Sequence, residues 1–158
     1  IAQCLVGSEM CIRDRYKALD IANKLLSHAA NSGEGELMSN MKLQKMLYYQ
    51  QGFHLAYFQT PLFNEDIEAW MYGPVVPCVY HHFKGQGSIG LEPFAEEIEL
   101  SDIEETLFNE VFEVYGEYSA SGLMNMTHQE SPWLTTPSGV GNVISLDKLD
   151  QFFKTRLQ

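Results

Sequence analysis

The sequence predicts a mainly α protein of the α+β kind: a compact helical body of about five to six helices with a small two- or three-stranded β element. Three observations carry this. Apolar residues recur at helical spacing in segment after segment. The stretch at residues 66–72 alternates cleanly between apolar and polar-or-aromatic positions. Capping residues and Gly or Pro turns bracket the helical segments. At 158 residues, the chain is long enough to bury one sizeable core.

Residues 1–15, IAQCLVGSEMCIRDR, follow neither period. Their basic residues stand at the end and Glu9 breaks the apolar part, so they are not a secretory signal. They look like a translated sequencing adapter fused to a truncated reading frame. We expect a non-native, disordered leader, with the native protein beginning near Tyr16 and residues 16–158 forming one domain. Ala18, Ile21, Ala22, Leu25, Leu26 and Ala29 then predict an amphipathic helix over 16–30, ended by NSGEGE.

Ser39 or Asn40 caps the next helix, which runs to about Phe58. Its apolar residues, from Leu43, Met46 and Leu47 to Tyr57 and Phe58, cover most of the circumference, which predicts a central, buried helix. Gly52 within it costs about 1 kcal/mol against Ala and is expected where another backbone comes close. Pro61 opens a turn. Ile67, Ala69 and Met71 alternate with Glu68, Trp70 and Tyr72, which predicts a strand. Gly73-Pro74 is expected to stop it. Pro74 is placed in the first turn of a helix carrying Val76, Val79, Tyr80 and Phe83 to about Lys84, with Pro77 at or near that turn.

GQGSIG reads as a flexible connection, and residues 96–100 as a second strand pairing with the first. Ser101, with Glu104 three residues on, predicts a capping box for an acidic helix whose stripe is Ile103, Leu107, Val111, Val114 and Tyr115. A short helix with Leu123 and Met126 covers 119–128, and ESPWLTTPSGVGN follows as a loop. Ser145 caps a final helix with Leu146, Leu149, Phe152, Phe153 and Leu157.

The net charge is −11, and it is unevenly spread. No Lys or Arg occurs between Lys84 and Lys148, an interval that holds Glu92, Glu96, Glu97, Glu99, Asp102, Glu104, Glu105, Glu110, Glu113, Glu117, Glu130 and Asp147. Such a chain repels phosphate backbones, so no nucleic acid is expected as a partner. The acidity keeps the protein soluble and attracts a basic protein at long range. No segment reads as a membrane span. Three cysteines, Cys4, Cys11 and Cys78, make neither a disulfide framework nor a CxxC pair, and the cytoplasm is the expected compartment.

Cys78, His81 and His82 lie within five residues, and Cys78 and His82 share a helix face. Two ligands are too few for a structural zinc site, and His54 and His128 join them only by a long-range approach. No metal and no cofactor are expected. His128 with Thr127 and Glu130 invites a general-base reading, but neither a GxSxG nucleophile nor a glycine-rich phosphate loop accompanies it. No catalytic residue is assigned. Trp70 and Trp133 are ordinarily packing residues, whereas Tyr48, Tyr72 and Tyr80 have polar tips suited to a groove that meets a protein partner.

The order of motifs is informative. Leu43-Gln44-Lys45, Tyr48-Tyr49, Pro61-Leu62-Phe63, Ala69-Trp70 and Tyr72-Gly73-Pro74-Val75 are followed by Pro77, Val79 and Tyr80. A later block carries Thr127-His128, Glu130 and Pro132-Trp133. Together these resemble the Panacea domain, the SocA-like antitoxin family often described as phage-associated, over roughly residues 16–158. The resemblance implies a mainly helical domain and the antitoxin of a type II toxin–antitoxin pair, which binds a cognate protein toxin directly. In one branch it also implies an adaptor that hands the toxin to an ATP-dependent protease. One such domain pairs with many unrelated toxins.

The expectation is therefore a non-enzymatic binding protein, with Tyr48, Trp70, Tyr72, Tyr80, His128 and Trp133 as candidate partner-binding residues. Two alternatives stand beside it. One is a small hydrolase, His/Glu- or metal-dependent, built on His128, Glu130 and the Cys78–His82 cluster. The other is a phage-associated scaffold that binds a protein other than a toxin.

Overall fold

The computed structural model of the protein describes residues 15–32, 37–86 and 90–157. The expected leader, apart from Arg15, lies outside the described residues, as do parts of the turn after the first helix and of GQGSIG. In chain order the elements are α1 (Ala18–Asn31), α2 (Asn40–Phe58), β1 (Glu68–Trp70), β2 (Gly73–Val75), α3 (Pro77–Phe83), α4 (Asp102–Tyr115), α5 (Ala120–Thr127), α6 (Ser131–Leu134) and α7 (Leu146–Lys154). The protein is mainly α with a small antiparallel β element. The helix beyond the expected number is α6, a single turn inside the segment expected to be a loop.

α2 is the axle. It packs against α1, α3, α4, α5, α7 and β2, so its residues are buried almost all round, from Leu43 to Ala56. Ser39 Oγ accepts the amide of Lys42 at its start, and Gln59 closes it with a left-handed φ of 62°. Gly52 is needed because the Phe153 ring of α7 lies on the backbone there. A Cβ at that position would stand 2.1 Å from Phe153 Cε2. The close approach is thus made by an aromatic ring, where a backbone was expected. Phe153 in turn meets Tyr48, Tyr49 and Phe53 with ring centroids 4.9 to 6.0 Å apart, and Tyr49 stacks on Tyr115 at 4.0 Å.

The capping box of α4 forms as expected: Ser101 and Glu104 exchange hydrogen bonds across the first turn. The stripe differs. α4 buries Phe108 and Val111, while Ile103 and Val114 are 65% and 55% exposed. The face that meets α2 is centred on Phe108 and Val111, which leaves Ile103 and Val114 at its margins.

The β element corrects two expectations. Residues 73–75 continue as β2, and the helix begins only at Pro77. β1 and β2 pair in the register Glu68↔Val75, Ala69↔Pro74 and Trp70↔Gly73 around a turn at Met71 and Tyr72. Pro74 is tolerated because Ala69 opposite it turns both backbone groups outward, its N–H to Asn142 O and its C=O to the amide of Gly139. That makes Ala69↔Pro74 a non-bonded pair, so the ladder misses no donor. Ile144 N donates to Ile67 O and Glu68 bridges Val143, so the second edge of β1 is covered by residues 139–144.

Residues 96–100 do not form a strand. Side chains of α1 hold this segment instead. Asn23 Oδ1 accepts the amides of Phe94 and Ala95, and its Nδ2 donates to the carbonyls of Ala95 and Glu96. Lys24, 1% exposed, donates to Glu97, Glu105 and the Ile98 carbonyl at 2.7 to 2.8 Å.

Candidate partner-binding groove

The hairpin stands over the N-terminal half of α2 and leaves a groove of about 1000 Å³ between them. Met41, Gln44 and Lys45 of α2, Trp70 to Tyr72 and Val75 of the hairpin, and Tyr80 and Phe83 of α3 line it, with Ala120 and Val140 at its margins. Gln44 builds the corner. Its Oε1 accepts the amide of Val76 just before α3, and its Nε2 donates to Asn40 Oδ1. The groove holds a concentration of exposed apolar side chains: Met41 at 39%, Met71 at 68%, Tyr72 at 58% and Val140 at 81%. Exposed apolar surface gathered in one concavity is uncommon on a protein that needs no partner there.

Five of the six candidate residues converge on this hairpin. Trp70 meets Tyr80 edge to face at 5.1 Å, and its indole N–H donates to Glu68 Oε1 at 2.9 Å. Tyr72 projects from the turn. Trp133 donates its indole N–H to the Trp70 carbonyl at 2.8 Å, and His128 stacks on Trp133 at 4.1 Å. His128 and Trp133 therefore brace the hairpin from behind, whereas Trp70, Tyr72 and Tyr80 form groove wall. Tyr48 is different: it is fully buried and cannot touch a partner in this conformation. Its hydroxyl and that of Tyr49 both donate to the Glu130 carboxylate at 2.9 Å. Glu130 stands just before α6, which carries Trp133, so Tyr48 is linked to the groove through that support. Burial raises the pKa of Glu130 against the two tyrosine bonds, and burial with the adjacent carboxylate keeps both phenols protonated.

Sequence reasoning missed the floor. Lys45 is 1% exposed, and its Nζ reaches the Pro74 carbonyl at 3.3 Å. Gly73, at φ +113°, makes room for it, since a Cβ there would lie 2.6 Å from Lys45 Cε. Burial lowers the pKa of Lys45 to about 8. Burial and then the Lys45 charge lower that of His128, against a backbone contact at Met71, and His128 Nε2 is buried without a hydrogen-bond partner. The available signal was a lysine set between Leu43 and Met46 on a helix whose apolar residues cover most of the circumference, where a charge is seldom fully buried unless paired.

Of the groups named for the hydrolase alternative, or weighed beside them, each has a structural partner or lies exposed, and His128 stacks on Trp133. Glu130 serves two tyrosines, and Thr127 Oγ1 donates to the Met124 carbonyl. His54 has Thr60 O at one ring nitrogen and Glu104 at the other, at 2.7 and 2.6 Å, which leaves none for a substrate. Cys78, His81 and His82 are exposed on α3. Among the described residues, no three His, Cys, Asp or Glu side chains gather as a metal cluster. No helix among them is long and apolar enough to cross a membrane.

Residues 43–134, which carry most of this groove, match the family described as antitoxin SocA-like, Panacea domain. The chain is also 33% identical over 140 residues to the antitoxin SocA of Caulobacter vibrioides (strain NA1000 / CB15N), a match that spans 80% of this chain and 73% of that protein. No solved structure matches. With the family matched over more than half its length and that relative over most of it, the chain belongs to the SocA-like antitoxin family of Panacea-domain proteins.

Proposed function

We propose that this protein is the antitoxin of a type II toxin–antitoxin pair. It neutralises a cognate protein toxin in the cytoplasm by seating part of it in the hairpin groove, without making or breaking a bond. The observation that carries this reading is the coincidence of Met41, Met71, Tyr72 and Val140, all exposed and apolar, in one concavity of about 1000 Å³ within or beside the family-matched region. An aromatic and aliphatic centre that becomes fully desolvated is where binding energy concentrates. The exposed carboxylates of residues 92–117 supply long-range attraction for a partner that is basic overall.

The test is co-expression with the protein encoded by the neighbouring reading frame. That neighbour alone is expected to stop growth, and this protein to restore growth and co-purify with it. Met71→Ser with Tyr72→Ser is expected to abolish both effects while leaving the melting temperature in place, because both side chains are exposed. A neighbour that is harmless alone, or a double variant that rescues fully, would refute the reading. The adaptor role implied for one branch is a separate arm: toxin half-life should shorten only when this protein and the protease are both present.

A further inference from the structure

Two lysines of this fold are equally buried, each 1% exposed, and they are treated differently. Lys24 has two carboxylates and a carbonyl within 2.8 Å. Lys45 has the Pro74 carbonyl at 3.3 Å, and none of the ion pairs among the described residues includes it. An ammonium carries three donors, and a buried one without a counter-charge is costly. The groove that Lys45 floors is also the reverse of the surface around it. On a chain of net charge −11, the charged residues lining the groove are Lys45 and Lys84, and no carboxylate does so. The other titratable groups near Lys45 are His128 at the end of α5, whose protonation its charge opposes, and the phenols of Tyr72 and Tyr80 on the groove wall.

Resting on the reading of the groove as the toxin's seat, we propose that an Asp or Glu side chain, carried on an apolar segment of the toxin, enters the groove and pairs its carboxylate with Lys45 Nζ. A side chain fits better than a chain end. Lys45 is 1% exposed beneath Gly73, so a segment resting against the exposed Met71 and Tyr72 reaches it by extending one side chain as the hairpin shifts off the amine. The acidic exterior and the basic floor then divide the work: the exterior attracts the toxin, and the floor fixes which acidic residue lands in the groove.

Titration calorimetry of this chain with the protein encoded beside it tests the pairing. Lys45→Met, which keeps the length of the side chain, is expected to weaken binding at least tenfold at pH 7. At pH 8.5 the wild type is expected to take up protons on binding, read as a dependence of the heat on buffer ionisation, because a paired Lys45 holds its proton. Lys45→Met should show no such uptake. Affinity within twofold of wild type, together with unchanged proton uptake, overturns the pairing. A toxin extended by Gly-Ser at its C-terminus should bind as before; loss of binding overturns the side-chain assignment in favour of a terminal carboxylate. Met71→Ser with Tyr72→Ser separates the two levels. If it weakens binding while Lys45→Met does not, the groove stands and the pairing falls. If it binds as wild type, the groove reading itself fails.

Discussion

Lys45→Met is expected to stabilise the free protein while impairing its function. Burial lowers the Lys45 ammonium from 10.5 to about 8. At about 1.4 kcal/mol per pH unit, this amounts to ~3 kcal/mol of native-state cost at neutral pH. Methionine fills similar space without that cost and forfeits the long bond to the Pro74 carbonyl, worth ~1 kcal/mol. The net gain is ~2 kcal/mol, or a melting point ~4–8 °C higher for a chain of this size. The gain depends on pH in a defined direction. Because the folded pKa lies below the unfolded one, the cost is fully present below about pH 8 and fades as the pH rises toward 10.5. Other groups, such as Lys24 with its raised pKa, titrate with the opposite sign, so the informative quantity is the variant minus wild-type difference. Urea denaturation at pH 7, 8.5 and 10 reads it. A difference that stays constant across that range, or a variant less stable than wild type at pH 7, refutes the argument that the Lys45 charge is an uncompensated burden in the free protein.

Two further outcomes test the frame. Gly52→Ala drives a methyl into the Phe153 ring, which costs ~1–3 kcal/mol by overpacking against ~1 kcal/mol of helix propensity gained, for a net loss in urea denaturation. Adding Phe153→Leu should recover at least ~1 kcal/mol relative to the sum of the single changes, and a stabilised Gly52→Ala would show that α7 is placed otherwise. Asn23→Ala removes the anchor of residues 94–96 and should cost ~1–3 kcal/mol. It should also speed cleavage by a Glu-specific protease at Glu96, Glu97 and Glu99, and an unchanged cleavage rate would mean that the segment is held by other contacts.

The parts legible in the sequence were those set by local chemistry. Ser39, Ser101, Ser119 and Ser145 each stand at the start of a helix, since an N-cap is a bond within three residues. α2 was legible as the central helix because apolar residues surround it. Partners distant in the chain were not legible. Gly73-Pro74 carries turn chemistry, and only the pairing of Ala69 with residues 139–142 makes proline acceptable in β2. Residues 96–100 read as a strand, but their partners are the side chains of Asn23 and Lys24 rather than a neighbouring strand. Ile103 and Val114 match the helical period as well as Phe108 does, and only the position of α2 decides among them. In the groove, aromatic character pointed to Trp70, Tyr72 and Tyr80. It misplaced Tyr48, whose hydroxyl serves Glu130, and it could not point to Lys45, whose importance lies in what it lacks.

With the groove as the proposed seat of the partner, the two residues of the hairpin turn give this architecture a way to change partners. Met71 and Tyr72 project outward from a loop held by Trp70, Gly73 and the support of Trp133 beneath it. Substitution at these two positions alters the contacting surface while leaving the ladder, the glycine and the buried amine untouched. Recognition can drift there from one lineage to the next at almost no penalty to folding, so divergent tips on an unvarying frame are the pattern this reading expects among relatives.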